Sequence, residues 1–281
     1  MSECCTPEKS DSDSFDVIVI GAGSAGFSAA ITAADEGARV ALIGYGTIGG
    51  TCVNVGCVPS KAMIRAVETL HHAKTASRFD GITASGQVTD WQAMVAQKQA
   101  LVDDLRAAKY ADVLPNYEAV TYIEGQATFH ENGSIKVGTH ILDAAKVIIA
   151  TGSSPHVPDI PGLADVQWLD STSALQLDQR PVSLMIMGGG YIGVEIAQVF
   201  ARAGADVTIV TRRGLLPDAE PEVSAALTES FAEEGIRVLD GLSYDRFETV
   251  DGAVRLHAAR AGQPVTVDAE KLMLATGRVP N

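Results

Sequence analysis

The feature that most narrows the fold is a unit that occurs twice. Phe15 to Ile20 (FDVIVI) is an apolar run of strand length, followed at once by Gly21-Ala22-Gly23-Ser24-Ala25-Gly26, a helical stretch to about Glu36, Gly37, and a second apolar run from Arg39 to Ile43. The same order returns in Ser183 to Met187 (SLMIM), Gly188-Gly189-Gly190-Tyr191-Ile192-Gly193, a helix to about Ala203, Gly204, and Asp206 to Val210. Each copy also closes alike, because Val147 to Pro155 (VIIATGSSP) and Leu272 to Pro280 (LMLATGRVP) are apolar runs ending in Ala-Thr-Gly and a turn with proline. This grammar predicts an α/β chain of two similar domains, each built on a βαβ unit with its glycine fingerprint between strand and helix, as a dinucleotide site requires. A length of 281 residues agrees, at roughly 150 residues per domain.

The expected division is a polar, disordered tail over 1–14, a first domain over 15–152, and a second over 153–281 that begins with the proline-rich link SSPHVPDIPG. Within the first, Pro59 to about His72 and Trp91 to Tyr110 read as helices. Asn132-Gly133 between apolar residues signals a hairpin, and hence a small β-meander before the closing strand.

Charge excludes one class of partner. With 21 basic against 35 acidic residues the net charge is −14, a field that repels phosphate backbones, so nucleic acid is not expected. No stretch approaches the ~20 apolar residues of a membrane span, and the first residues lack the basic start and apolar core of a signal peptide. The expectation is a soluble cytoplasmic protein. Four cysteines are too few for a disulfide-stapled secreted fold.

A glycine fingerprint between strand and helix has a physical purpose. The first glycine permits the turn, the second lets backbone approach a pyrophosphate, and the third lets the helix pack closely, with its N-terminus facing the negative charge. Such a unit usually ends its second strand in an acidic residue that binds ribose. Here Gly44 stands there, which leaves that contact to a peptide group or a bound water. In the second copy the place holds Thr211, followed by Arg212 and Arg213. Two guanidiniums suit a 2′-phosphate and so favour NADP over NAD, the alternative being a pair of solvated surface arginines.

The stretch Gly49-Gly50-Thr51-Cys52-Val53-Asn54-Val55-Gly56-Cys57-Val58-Pro59-Ser60-Lys61 is the most informative in the chain, and exchange-active sulfurs are one reading of it. Five residues of ideal helix rise about 7.5 Å, beyond the roughly 7 Å Cα limit for a disulfide, so a bridge needs a distorted turn, and Gly56 offers one. Thiols at a helix start gain thiolate character, and Lys61 is a nearby cation. The alternatives are a buried structural pair or half of a zinc site, for which neither His71-His72 nor Cys4-Cys5 has characteristic spacing. Cys4 and Cys5 form a vicinal pair that either collects metal for Cys52 and Cys57 or is incidental.

GGTCVNVGCVPSK, the two fingerprints and the Ala-Thr-Gly repeat together resemble the pyridine nucleotide-disulfide oxidoreductase family, over nearly all of 15–281. Thr47-Ile48-Gly49-Gly50 and Leu101 to Leu114 (LVDDLRAAKYADVL) are most similar to its mercuric reductase branch; dihydrolipoamide dehydrogenase and glutathione reductase are the runners-up. The resemblance implies a fold of two doubly wound, Rossmann-like nucleotide-binding domains, with FAD on the first and NADPH on the second. It puts Gly21, Gly23, Gly26, Gly46, Thr51, Lys61, Ala127 and Thr151 at or beside FAD, and Gly188, Gly190, Ile192 and Gly193 around the NADPH pyrophosphate. Tyr191 matches the ring over the nicotinamide pocket. Glu195 matches the carboxylate that pairs with Lys61; read alone, it is a surface charge.

The implied electron path runs from NADPH through FAD to a Cys52–Cys57 disulfide, with Cys57 the flavin-proximal thiolate and Cys52 the sulfur met by substrate. Mercuric ion, a soft metal that prefers thiolates, is the expected substrate and would bind at Cys52 and Cys57 before leaving as elemental mercury. The resemblance also implies segments beyond Asn281: the rest of the FAD site, a dimerisation domain with a catalytic histidine, and C-terminal vicinal cysteines. The chain therefore reads as a fragment of an expected homodimer, and a non-catalytic nucleotide-binding piece is the competing reading.

Overall fold

The computed structural model describes residues 14–130 and 133–281. Residues 1–13 of the expected polar tail, with Cys4 and Cys5, and Asn132 of the hairpin signal lie outside the described residues, whereas Ser14, assigned to that tail, opens the first strand. The chain forms two contact-dense units. The first comprises residues up to Asn54, Val102–Gly152 and Pro280–Asn281; the second comprises Val55–Leu101 and Ser153–Val279.

In the first unit, β1 (Ser14–Ile20) leads into α1 (Ser24–Asp35), β2 (Val40–Gly44) and the short α2 (Gly50–Asn54). The chain passes through α3 (Cys57–Lys74) and α4 (Trp91–Arg106) before returning in β3 (Val120–Glu124), β4 (Ala127–Phe129), β5 (Ile135–Val137) and β6 (His140–Ile149). The sheet order is β3-β2-β1-β6-β5-β4. The first four strands are parallel, with Val17 opposite both Val40 and Lys146. The meander is antiparallel, and its third strand is the closing strand itself: β6 pairs with β5 through Leu142 and with β1 from Asp143 onward.

Alternation along the strands sets the two faces. Val17, Val19, Val40 and Leu42 bury against Phe27 and Ala30 of α1, while Ile18, Ala41 and Ile43 bury with Ile135, Val137 and Leu142. Beyond Arg106 the helical stretch widens into a π-turn over Ala107–Ala111, closed by Asp112 N–H donating to Ala107 O at 2.9 Å. That turn sets the Tyr110 ring edge-on to Phe27 and its hydroxyl 3.0 Å from Ser24 Oγ.

The second unit continues with β7 (Ser153–Pro155), β8 (Trp168–Leu169), α5 (Ser171–Ala174), β9 (Ser183–Met187), α6 (Tyr191–Arg202), β10 (Asp206–Val210) and α7 (Pro221–Glu233). It ends with β11 (Arg237–Leu239), β12 (Leu242–Val250), β13 (Ala253–Arg260), β14 (Gln263–Ala269), β15 (Lys271–Leu274) and β16 (Arg278–Pro280). A parallel sheet in the order β11-β10-β9-β15-β8 stands beside an antiparallel sheet, β12-β13-β14. Met185 and Met187 face a core shared with Phe247, Leu256 and Val267 of the antiparallel sheet; Leu184 and Ile186 face α6 and Phe200. Full burial of each such side chain stabilises by about 1.5–3 kcal/mol.

The contiguous boundary expected near residue 152 differs from this division. Residues 55–101 group with the second unit because Met63 and Val67 of α3 and Trp91 of α4 are buried in the same cluster as Ile196, Val199 and Phe200 of α6. Trp91 stacks at a tilt on Phe200, with centroids 5.4 Å apart, and its Nε1 donates to Leu177 O at 2.7 Å. The boundary thus falls within α4. Among the described residues no helix is long and apolar enough to cross a membrane.

Candidate functional site

Two glycine turns form matching cradles, one in each unit. Gly21 leaves β1 at φ +117°, and a Cβ there would lie 2.1 Å from Ala150 O; Gly188 leaves β9 at φ +118°, and a Cβ would lie 2.3 Å from Ala275 O. Only glycine fits such a turn against a neighbouring backbone. The third glycines bring each helix onto its own turn: a Cβ on Gly26 would lie 1.8 Å from Gly21 O, and one on Gly193 would lie 2.2 Å from Gly188 O. The residues touched, Ala150 and Ala275, are those of the two Ala-Thr-Gly turns, so the repeat legible in the sequence is a repeat of atomic contacts.

The middle glycines leave room. Around a Cβ on Gly190 nothing lies within 4 Å, and on Gly23 the nearest atom is Gly50 Cα at 3.5 Å. Both residues are helix N-caps without a side-chain cap. Neither α1 nor α6 is capped by its N-cap side chain, which leaves the helix starts to a ligand such as a pyrophosphate. The residues present fit a dinucleotide in each unit.

In the second unit the cradle opens into a cleft of about 360 Å³ lined by Gly188 to Tyr191, Thr211 to Arg213, Tyr244 and Thr276. Arg212 lies over the Tyr244 ring, 5.2 Å from its centroid, and Arg213 donates to Asp218 Oδ1 at 3.1 Å. Tyr244 donates to Val210 O at 3.1 Å, and burial, opposed by Arg212, pushes its phenol up to about 12. It is therefore a neutral ring under the guanidinium.

The redox loop is built on the first cradle. Gly49 N–H donates to Ala22 O at 2.9 Å, and the Asn54 amide donates to Ile48 O and Gly50 O at 2.9 and 3.0 Å. Arg106 in turn donates to Asn54 Oδ1 at 3.2 Å. These bonds hold α2, which carries Thr51 and Cys52 on its exposed side. The helix then breaks at Val55-Gly56, and Cys57 is the first residue of α3. Both cysteines are exposed.

α3 belongs to the second cradle. Its first turn is closed by Ser60, whose N–H donates to Gly56 O at 3.1 Å and whose hydroxyl donates to Cys57 O at 3.2 Å. One residue on, Lys61 Nζ donates to Glu195 Oε1 at 2.6 Å, across 134 positions of sequence. Glu195 lies one turn past Tyr191, which is 70% exposed at the start of α6, with Ile192 beside it. The pair implied by the resemblance is made, and α3 is thereby tied to the helix that opens the second cradle.

The other residues named from the sequence are more scattered. Gly46 sits in an open turn at φ +77°, and Ala127 starts β4 opposite Val137. Thr151 is exposed, with its carbonyl accepting from Asn281 Nδ2 at 2.8 Å. No group of three metal-ligating side chains occurs among the described residues, which leaves the zinc alternative without further ligands there. Sequence reasoning missed Asn54, Arg106, Tyr110, Tyr122 and Tyr244. Asn54 lay inside the cysteine motif, and Arg106 and Tyr110 inside the Leu101 to Leu114 stretch, without a sign of what they touch; Tyr122 and Tyr244 come from other segments and carry no local signal.

A family model described as pyridine nucleotide-disulphide oxidoreductase matches residues 15–281. Mercuric reductase from Staphylococcus aureus is 40% identical over 268 residues, covering 95% of this chain and 49% of that protein. The mercuric reductase of Streptomyces lividans is 46% identical over 229 residues, covering 80% of this chain and 48% of that protein. Among solved structures, the HOCl-induced flavoprotein disulfide reductase RclA from Escherichia coli superposes with a TM-score of 0.81 at 31% identity, over 95% of this chain and 57% of that one. The chain spans about half the length of the curated relatives it matches. With the paired cradles and the dithiol loop between them in sequence, the match over nearly the whole chain settles the kinship: this chain belongs to the pyridine nucleotide-disulphide oxidoreductase family.

Proposed function

We propose that this chain is the nucleotide-binding and dithiol part of an NADPH-dependent flavoprotein that reduces Hg(II) to elemental mercury. The observation that carries the reading is the exposure of Cys52 on α2 and of Cys57 at the first residue of α3, in a chain whose units each hold a glycine cradle that fits a dinucleotide. FAD and NADPH are the cofactors of this family. Gly21, Gly23 and Gly26 with Thr51 and Thr151 would hold FAD, and Gly188, Gly190, Ile192 and Gly193 with Arg212 and Arg213 would hold NADPH. When bound, FAD supplies two-electron transfer from NADPH to the dithiol and the metal.

The protein's own residues then have separate tasks. Cys57 is the exposed first residue of an 18-residue helix. Cys52, on the exposed side of α2, meets the metal first. Thiolates bind a soft cation in preference to water and carboxylates, so the pair holds Hg(II) while two electrons arrive. Lys61, fixed by Glu195, places a positive charge one turn into the helix that Cys57 begins, and Tyr191, in the lining of the cleft, would cover the nicotinamide pocket. Net, NADPH and Hg(II) give NADP⁺, H⁺ and Hg(0). In the whole protein this takes place in the cytoplasm and in a homodimer, as the family resemblance implies.

The test is a spectrum followed by a substrate comparison. The protein incubated with FAD and freed of excess ligand should show a flavin band that NADPH bleaches. Hg(II) should then accelerate NADPH oxidation where lipoamide and glutathione disulfide do not. Absence of the flavin band defeats the reading, and acceleration by lipoamide or glutathione disulfide alone replaces the substrate.

A further inference from the structure

Gly44 ends β2 at the place where a dinucleotide fold usually carries its ribose-binding acid. A Cβ on Gly44 would lie 2.4 Å from Tyr122 Oη, 2.7 Å from Tyr122 Cε2 and 2.8 Å from Ala22 Cβ. The space a side chain at position 44 would enter is therefore already filled by the phenol of Tyr122, which arrives from the neighbouring strand β3, where Tyr122 is in register with Leu42. Ala22 is part of the first glycine turn, so the hydroxyl end of Tyr122 stands at the rim of that cradle.

The hydroxyl is also available. Tyr122 is half-buried, and among the described residues its hydroxyl has no hydrogen-bond partner. Burial first, and the charge of Glu124 second, raise its pKa above the ordinary 10.0, so it remains a neutral donor and acceptor. A tyrosine with its ring packed and its polar tip unspent is suited to a sugar hydroxyl.

We propose that Tyr122 Oη, reaching in from β3, takes the hydrogen bond to the adenosine ribose that an acidic residue at the end of β2 would otherwise make, and that Gly44 is glycine because Tyr122 needs its space. This rests on the reading of the first cradle as the FAD site. A neutral phenol in that position binds the ribose hydroxyls without adding a negative charge beside the pyrophosphate.

FAD dissociation constants, measured on the chain by flavin fluorescence, test the pair. Tyr122→Phe keeps the ring and removes the hydroxyl, and should weaken FAD binding about five- to tenfold, the worth of one neutral hydrogen bond. An FAD analogue lacking the 2′-hydroxyl of its adenosine ribose should bind the unsubstituted chain more weakly than FAD does, but bind Tyr122→Phe as tightly as FAD does. Gly44→Glu alone should cost tenfold or more, and Gly44→Glu with Tyr122→Val should recover most of it. Binding to Tyr122→Phe within twofold of the unsubstituted chain overturns the proposal, as does a larger loss from Glu124→Gln, which would make the β3 carboxylate the partner. No FAD binding by the unsubstituted chain overturns the reading of the cradle itself.

Discussion

Lys61 Nζ and Glu195 Oε1 are 2.6 Å apart, joining the first turns of α3 and α6 across 134 positions of sequence. The two side chains are 56% and 36% exposed. An ion pair so open to water contributes less than about 1 kcal/mol to stability. Its value therefore lies in where it holds the lysine. Glu195→Gln should leave the unfolding free energy within about 1 kcal/mol of the parent while slowing reduction of bound flavin by NADPH at least tenfold. Thermal unfolding and stopped-flow absorbance check the two halves; a large stability loss with unchanged reduction would make the pair structural.

The cradles should be separable. Alanine at Gly26 puts a Cβ 1.8 Å from Gly21 O, and alanine at Gly193 puts one 2.2 Å from Gly188 O, so each substitution must push a helix off its turn. Gly26→Ala should abolish FAD retention with the NADPH affinity kept, and Gly193→Ala should do the reverse. Flavin content and NADPH titration on both variants decide it, and loss of both ligands in either variant would mean general unfolding.

Cofactor choice should reside in the arginines of the cleft. Arg212, supported by the Tyr244 ring, and Arg213, engaged by Asp218, both face the opening. Arg212→Ala should raise the NADPH dissociation constant tenfold or more and leave that for NADH nearly unchanged, since only NADPH carries a 2′-phosphate. Asp218→Asn releases Arg213 and should tighten NADPH binding two- to threefold, an effect that fades with added salt.

A pH effect on stability is expected from Glu234, which accepts from Arg202 Nε and Nη2 at 2.7 Å each and from Gln198 at 2.8 Å. Burial opposes its ionisation, but the Arg202 hydrogen bonds and charge, with lesser help from His71 and Gln198, outweigh it and lower the pKa below 4.5. A lowered carboxyl pKa stabilises the folded chain fully above the ordinary value and loses that stabilisation as pH falls through the folded value. Glu234→Gln should cost about 2 kcal/mol at pH 7 and less once the pH has fallen through the lowered folded-state pKa, measured by urea unfolding at both. An equal cost at the two pH values would remove the charge from the explanation.

Much of the fold was legible because it is written locally. A strand–glycine–helix–strand order declares itself through steric rules that act over a few residues, and β9 and β10 occupy the spans that the apolar runs mark, Ser183–Met187 and Asp206–Val210. The break between the cysteine-bearing helices at Gly56 was legible in the same way, as was the missing acid at Gly44. Residue types alone could state that Gly44 lacks a carboxylate; they could not state that Tyr122, from a strand that pairs beside it, fills the space.

Partners of that kind are decided by which faces meet. Met63 and Val67 show helical spacing, but nothing in α3 says that its apolar face buries against Ile196 and Phe200 rather than within the first unit, and this choice moves residues 55–101 into the second. Asn54 and Arg106, 52 positions apart, are joined for the same reason. By itself the sequence determined two glycine cradles, the loop with its two cysteines and the succession of strand, turn and helix around each cradle, since turns and periodicity are short-range. Only the tertiary structure decided what stands beside them, because a side chain's neighbours depend on packing between segments far apart in the chain.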